Sequence, residues 1–199
     1  MQWTETYKIL QPFLLLIATA LISNYLIPKI TRRWQDHQKE LELKTGFVSE
    51  ISEIVVGIIM AVQFAEVGAA SQTQEQFDQA YRTWEVKKAI IGSKIRGYFP
   101  NTTLGKDWDE FSEIVSEVYA LSGTTDEVFR QERLDRLKEY FGTDAADWQS
   151  LVNLELKTSG FHNFQTFYRA WFSLRKQVLE RKDALVQRIL DSRIVFFGR

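Results

Sequence analysis

The chain has no cysteine, two histidines and three prolines in 199 residues. Without cysteine there is no disulfide, no thiolate nucleophile, no iron–sulfur cluster and no Cys-type zinc site. A di-iron site in a helical bundle needs Glu-x-x-His on two helices, and that pattern does not occur. The phosphate-binding patterns G-x-x-x-x-G-K-[ST] and G-x-G-x-x-G and the nucleophile turn G-x-S-x-G do not occur either. The formal net charge of −1 exerts no global pull on nucleic acid. No catalytic residue, cofactor-binding residue or metal ligand is therefore assigned. The chain reads as a non-enzyme without a cofactor, and no nucleic-acid partner is expected. An apolar fraction of 45% with 26% charge is that of a folded chain. So few prolines favour long helices.

What is present begins with a run of twenty uncharged residues, ILQPFLLLIATALISNYLIP, between Lys8 and Lys29. As a helix it is about 30 Å long, the hydrocarbon thickness of a bilayer. Residues 9–28 are expected to form a single transmembrane helix, with Ile9, Phe13, Leu16, Ile22 and Ile27 among its lipid-facing side chains. Trp3, Tyr7 and Tyr25 stand near its ends, where interfacial aromatics belong. Ala18-Thr19-Ala20 has the small residues of a signal-peptide cleavage site. Apolar sequence resumes at Leu21, however, and runs on to Ile27, which favours an anchor. Lys29, Arg32 and Arg33 follow the span, whereas Lys8 precedes it beside Glu5. The positive-inside bias then places residues 29–199 in the cytoplasm and residues 1–8 outside, at the plasma or inner membrane.

Beyond the span the spacing of apolar residues predicts helices at 29–70, 74–99, 104–121, 126–141, 144–157 and 163–194. The stretch 54–65 is apolar nearly all round but too short to cross a bilayer, so it is read as a packed core segment or an oligomer interface. Phe77, Tyr81, Trp84, Ile91, Ile95 and Tyr98 mark one inward face, and Pro100 ends that helix. Ser122 to Thr125 is read as a turn that caps the next helix. Gly142 and Gly160 are read as C-terminal stops. Phe164, Phe167, Trp171, Leu174, Val178, Leu185 and Ile189 form a heptad-like seam. The fold class is all-α: a single N-terminal transmembrane helix, then an up-and-down bundle of four long helices with a short helical insertion.

Four groups of residues could carry function in such a molecule. Thr19, Ser23 and Asn24 would let transmembrane helices approach and hydrogen-bond, so a homo-oligomer is expected. Phe164, Tyr168, Arg169, Trp171 and Arg175 could line a ligand pocket, although aromatics at helical spacing more often form core. Arg193, Phe196, Phe197 and Arg199 could touch the membrane surface, unless the phenylalanines close the core. The stretch 169–199 holds eight basic and three acidic residues, whereas 106–155 holds five basic and thirteen acidic. Such an imbalance either recruits partners or sets two helices face to face. Asp36, His37 and Glu40 are read as a solvated face, as are Glu110, Glu113 and Glu117. The expected activity is that of a membrane-anchored interaction or scaffold protein with an unidentified protein partner. The alternative is a small-molecule or nucleotide sensor whose ligand controls oligomerisation.

Overall fold

The computed structural model describes residues 16–67, 74–142, 146–157 and 160–195. Ile9 and Phe13 of the expected span lie outside these residues, as do Phe196, Phe197 and Arg199 of the expected surface contact. The described residues are all-helical, without a strand. The chain divides into two compact units, Met1–Gly46 and Phe47–Arg199.

In the first unit the helical run begins at Leu16 and widens into a π-turn at Ile22–Leu26, where the Ile27 amide bonds the carbonyl of Ile22. The cause follows in the sequence. Pro28 has no amide hydrogen, and its ring crowds the carbonyl four residues back. One extra residue in the turn relieves that clash, and the helix continues through the proline. From Ile27 the chain is α-helical to Val67, here called α1. The Lys29 ammonium lies 5.6 Å above the Tyr25 ring.

The second unit is a helical bundle formed by the later part of α1 with α2 (Gln74–Tyr98), α3 (Leu104–Ser122), α4 (Glu127–Phe141) and α5 (Phe161–Asp191). Each helix buries the stripe its sequence carries. In α2 this is Phe77, Trp84, Ile91 and Ile95, in α3 Trp108, Phe111, Val115 and Val118, and in α5 Phe167, Trp171, Leu174, Val178, Leu185 and Ile189. All join one core cluster with Ile51, Val55, Ile58 and Val62 of α1. Glu50 pairs with Lys94 at 2.6 Å and Glu53 with Lys87 at 3.7 Å, so α1 and α2 run in opposite directions. Gly92 lets α2 approach α3 closely, since a Cβ there would sit 3.2 Å from the Trp108 ring.

The ends of α2, α3, α4 and α5 match the expected boundaries within about three residues, and their chemistry is local. Pro100 follows α2, whose last turn is closed by the Phe99 amide on the Ile95 carbonyl at 2.8 Å. The cap of α4 is Asp126 rather than a residue of the 122–125 turn. Its carboxylate accepts from the amides of Val128 at 2.9 Å and Phe129 at 3.4 Å. Gly142 ends α4 in the left-handed region at φ 61°. Gly160, at φ 117°, instead begins α5.

Of the expected helix at 144–157, the described residues 146–157 are not α-helical. Two 3₁₀ turns, Ala146–Leu151 and Leu154–Lys157, take its place. The Asn153 side chain accepts from the Glu155 amide at 3.0 Å, which breaks a continuous ladder. The Leu151 carbonyl is claimed by Arg130. Trp148 is fully buried there, with its indole N–H on Ser173 of α5 at 3.3 Å.

Candidate functional site

The first candidate is the apolar end of the N-terminal helix. Leu16, Ile17, Leu21, Ile22, Leu26, Ile27 and Ile30 are all 48–70% exposed. Thr19, Ser23 and Asn24 are exposed as well, and the latter two lie inside the π-turn. Lys29, Arg32 and Arg33 follow, also exposed. The helical run Leu16–Glu66, near the N-terminus, is long and apolar enough to span a membrane. Its two apolar stretches differ: residues 16–30 have no cover, whereas Ile51, Val55, Ile58 and Val62 are core. The expected core reading of 54–65 therefore describes a real packing role.

The second candidate is the polar interior of the bundle. Arg130 of α4 is 1% exposed, and its guanidinium makes five polar contacts. It donates to the Leu151 carbonyl through Nε at 2.9 Å and Nη2 at 2.6 Å. Nη1 reaches the Leu121 carbonyl at 2.6 Å, the Thr124 carbonyl at 3.1 Å and Glu66 Oε1 at 3.2 Å. One cation thus satisfies a carbonyl at the end of α3 and ties the 3₁₀ turn to α1. Nothing in the hydrophobic spacing marked this hub. The signal present was a charge at 66 between Ala65 and Val67 and another at 130 after Val128 and Phe129.

Glu117 is also buried, not part of a solvated stripe. Arg133 donates to both its carboxylate oxygens, at 2.8 and 2.7 Å, and Arg136 to one at 3.2 Å. Glu110 and Glu113 on the same helix are exposed as expected. The Glu117 carboxylate raises the pKa of Arg136 further above its ordinary value.

Between α2 and α3 runs a surface trough of about 420 Å³ containing Tyr81, Glu85, Lys88, Ser112 and Ser116. Ser116 Oγ accepts from the Trp84 indole at 3.0 Å and lies 3.5 Å from Lys88 Nζ. A serine beside a lysine invites a nucleophilic reading. The geometry argues otherwise. Lys88 pairs with Glu85 at 2.8 Å, and the serine hydroxyl donates back to the Ser112 carbonyl at 3.0 Å. Burial pushes the Glu85 carboxyl up, and Lys88, with hydrogen bonds from Tyr81 and Ser116, more than reverses this, so its pKa is lowered. Burial, then Glu85, pushes the Tyr81 hydroxyl up. The lysine is engaged and the hydroxyl serves as a helix back-bond.

A second trough, about 320 Å³, lies between α3, α4 and α5 and is lined by Asp107, Glu110, Tyr140, Arg181 and Arg188 among others. Arg188 pairs with Asp107 at 2.8 Å and donates to Thr103 at 2.7 Å. Arg181 lies 5.6 Å from the Tyr140 ring centre. Burial raises the Tyr140 pKa, Arg181 opposes it, and Glu110 and Asp107 add to it. Here basic α5 meets acidic α3, so part of the charge imbalance is internal.

The expected aromatic pocket divides. Trp171 is core, and Phe167 beside it is core too. Phe164 and Tyr168 stack at 6.3 Å, Tyr168 and Arg169 face outward, and Arg175 donates to Gln63 of α1. The two troughs are lined by other residues. Phe161 and Phe172 extend the outward aromatic face of α5. At the C-terminus Ile194 is buried, the Val195 amide bonds the Tyr98 carbonyl at 2.9 Å, and Arg193 is exposed. Among the described residues no three of His, Asp and Glu come together as a metal site. Glu40 instead pairs with Lys44 at 2.9 Å. The chain matches no family model, no curated protein and no solved structure.

Proposed function

We propose that this chain is a single-pass protein of the plasma or inner membrane whose helical bundle works at the cytoplasmic face by binding protein partners. The observation that carries the reading is the bare apolar helix end at 16–30. Side chains of that size gain about 1.5–3 kcal/mol each on leaving water, so Leu16, Ile17, Leu21, Ile22 and Leu26 uncovered together call for a lipid environment. Lys29, Arg32 and Arg33 supply the inside charge, and Tyr25 beneath Lys29 suits the interface. The proposed layout is 1–8 outside, 9–28 in the bilayer and 29–199 inside, with four long helices running up and down. Interaction rather than catalysis fits a bundle whose buried charges Arg130 and Glu117 are engaged by its own contacts. It also fits outward apolar side chains such as Val86, Ile90, Phe161 and Phe172.

The sensor reading has one observation in its favour, the trough beside Tyr140 where the Arg181 guanidinium faces open space. Reporter fusions after Arg199 test the main reading. A cytoplasm-active reporter should give signal and an exterior-active one none. The reverse pattern would overturn the orientation, and a mature chain beginning near Leu21 would overturn the anchor.

A further inference from the structure

We infer that the part of α1 between Ile27 and Leu41 is a dimer seam, and that its partner is the same segment of a second copy running parallel to it. The inference deepens the membrane-anchored reading and rests on it for the parallel alignment.

Counting by seven from Ile27 gives Trp34, Leu41, Val48, Val55 and Val62. Counting by seven from Ile30 gives His37, Lys44, Ile51 and Ile58. These two series are the a and d positions of a heptad pattern. Within the bundle the pattern is used: Ile51, Val55, Ile58 and Val62 are core. Between 27 and 41 the same pattern continues with nothing against it. Trp34 is 66% exposed, Leu41 48%, and Ile27 and Ile30 are exposed too.

The shape of this stripe selects its occupant. At 100° per residue Ile27, Ile30, Trp34 and Leu41 fall within about 60° of arc, the narrow seam of a two-stranded coil. A helix lying in lipid headgroups needs a wider apolar face, and the opposite side here carries Arg32, Asp36 and Lys39. The flanking charges permit pairing. One flank holds Thr31, Gln38 and Thr45, all uncharged, and the other Arg33 and Glu40. In a parallel pair one flank meets the other, so no like charges oppose. The seam ends at Lys44, which is buried and held by Glu40. His37, at a d position, is the one polar residue inside it. Two chains anchored in one bilayer present these segments side by side and in the same direction, which raises their effective concentration.

The absence of cysteine makes the test clean. Single substitutions are placed in the full-length chain, in membranes: Ile30→Cys, Trp34→Cys, His37→Cys and Leu41→Cys on the seam, and Arg32→Cys, Gln35→Cys and Lys39→Cys off it. After mild oxidation, disulfide-linked dimer should form about tenfold more at the seam positions than off it. Equal linkage at all seven, or none, overturns the seam. So does protection of the seam cysteines from a water-soluble maleimide without linkage, which would assign the stripe to the lipid surface. Alkaline carbonate extraction of the unsubstituted chain reports on the anchor separately. Retention in the pellet with no linkage removes the seam alone, whereas release removes the anchor whatever the linkage pattern.

Discussion

Between residues 16 and 28 the N-terminal helix is apolar on every side and bare, whereas from Ile54 to Val62 the same helix is equally apolar and packed in a core. The residues are of the same kind: Leu, Ile, Val and Ala, with scattered small polar side chains. Only the second stretch has helices against it, and its bounding charges have partners there. Glu53 meets Lys87 and Glu66 meets Arg130. Lys29, Arg32 and Arg33 beside the first stretch are exposed, as charges at a bilayer surface would be. Hydrophobicity fixes that a segment must be covered, and the neighbouring charges tell what covers it.

The sharpest way to break this comparison is to place the same charge in each stretch. Ile58→Asp puts a carboxylate into the filled core and should unfold the bundle, with loss of cooperative melting by circular dichroism. Leu21→Asp should leave that melting unchanged and weaken membrane retention by about 2.5–3.5 kcal/mol. If Leu21→Asp also melted the bundle, the two stretches would be one folded unit.

The charges bounding the core stretch come next. Arg130→Met should cost about 3–5 kcal/mol in chemical denaturation, because it strands Glu66 and three carbonyls in the interior. Adding Glu66→Leu should recover part of that loss. A cost under about 1 kcal/mol for Arg130→Met would mean that water reaches the site.

A smaller effect is set by Tyr119, stacked between Phe77 and Tyr81 at 4.3 and 4.1 Å, with Asp78 at 3.5 Å from its hydroxyl. Burial, then Asp78, pushes its pKa up to about 12. The folded chain therefore holds this proton more tightly than the unfolded chain. The associated stability is intact below pH ~10 and lost as pH rises toward 12, on the order of 1 kcal/mol after solvent screening. Tyr119→Phe should flatten that decline in an alkaline melting series. An unchanged slope would place the hydroxyl in water.

Much of the bundle was legible because long amphipathic stripes dominate it. The spacing of Phe77, Trp84, Ile91 and Ile95, and of Phe167, Trp171, Leu174 and Val178, leaves few alternatives to a helix with one buried face. Legibility failed where side chains compete with the backbone. Asn153 and Arg130 together break 146–157 into 3₁₀ turns, and neither leaves a trace in apolar periodicity. Asp126 took the cap from its threonine neighbours because its carboxylate reaches two amides. Glu117 was read as solvated because its partners, Arg133 and Arg136, lie on another helix sixteen and nineteen residues on. The aromatic run at 161–172 could not be sorted by type. Only packing shows that Phe167 and Trp171 turn inward while Phe161, Tyr168 and Phe172 do not.

The central claim is that lipid covers residues 9–28 while protein covers residues 47–62. The measurement that bears on it most directly is alkaline carbonate extraction of the full-length chain from cell membranes. The account predicts that the chain stays in the membrane pellet, with Leu21→Asp shifting it toward the supernatant and Glu53→Gln leaving it in place. Complete release of the unsubstituted chain as folded, soluble protein would contradict it.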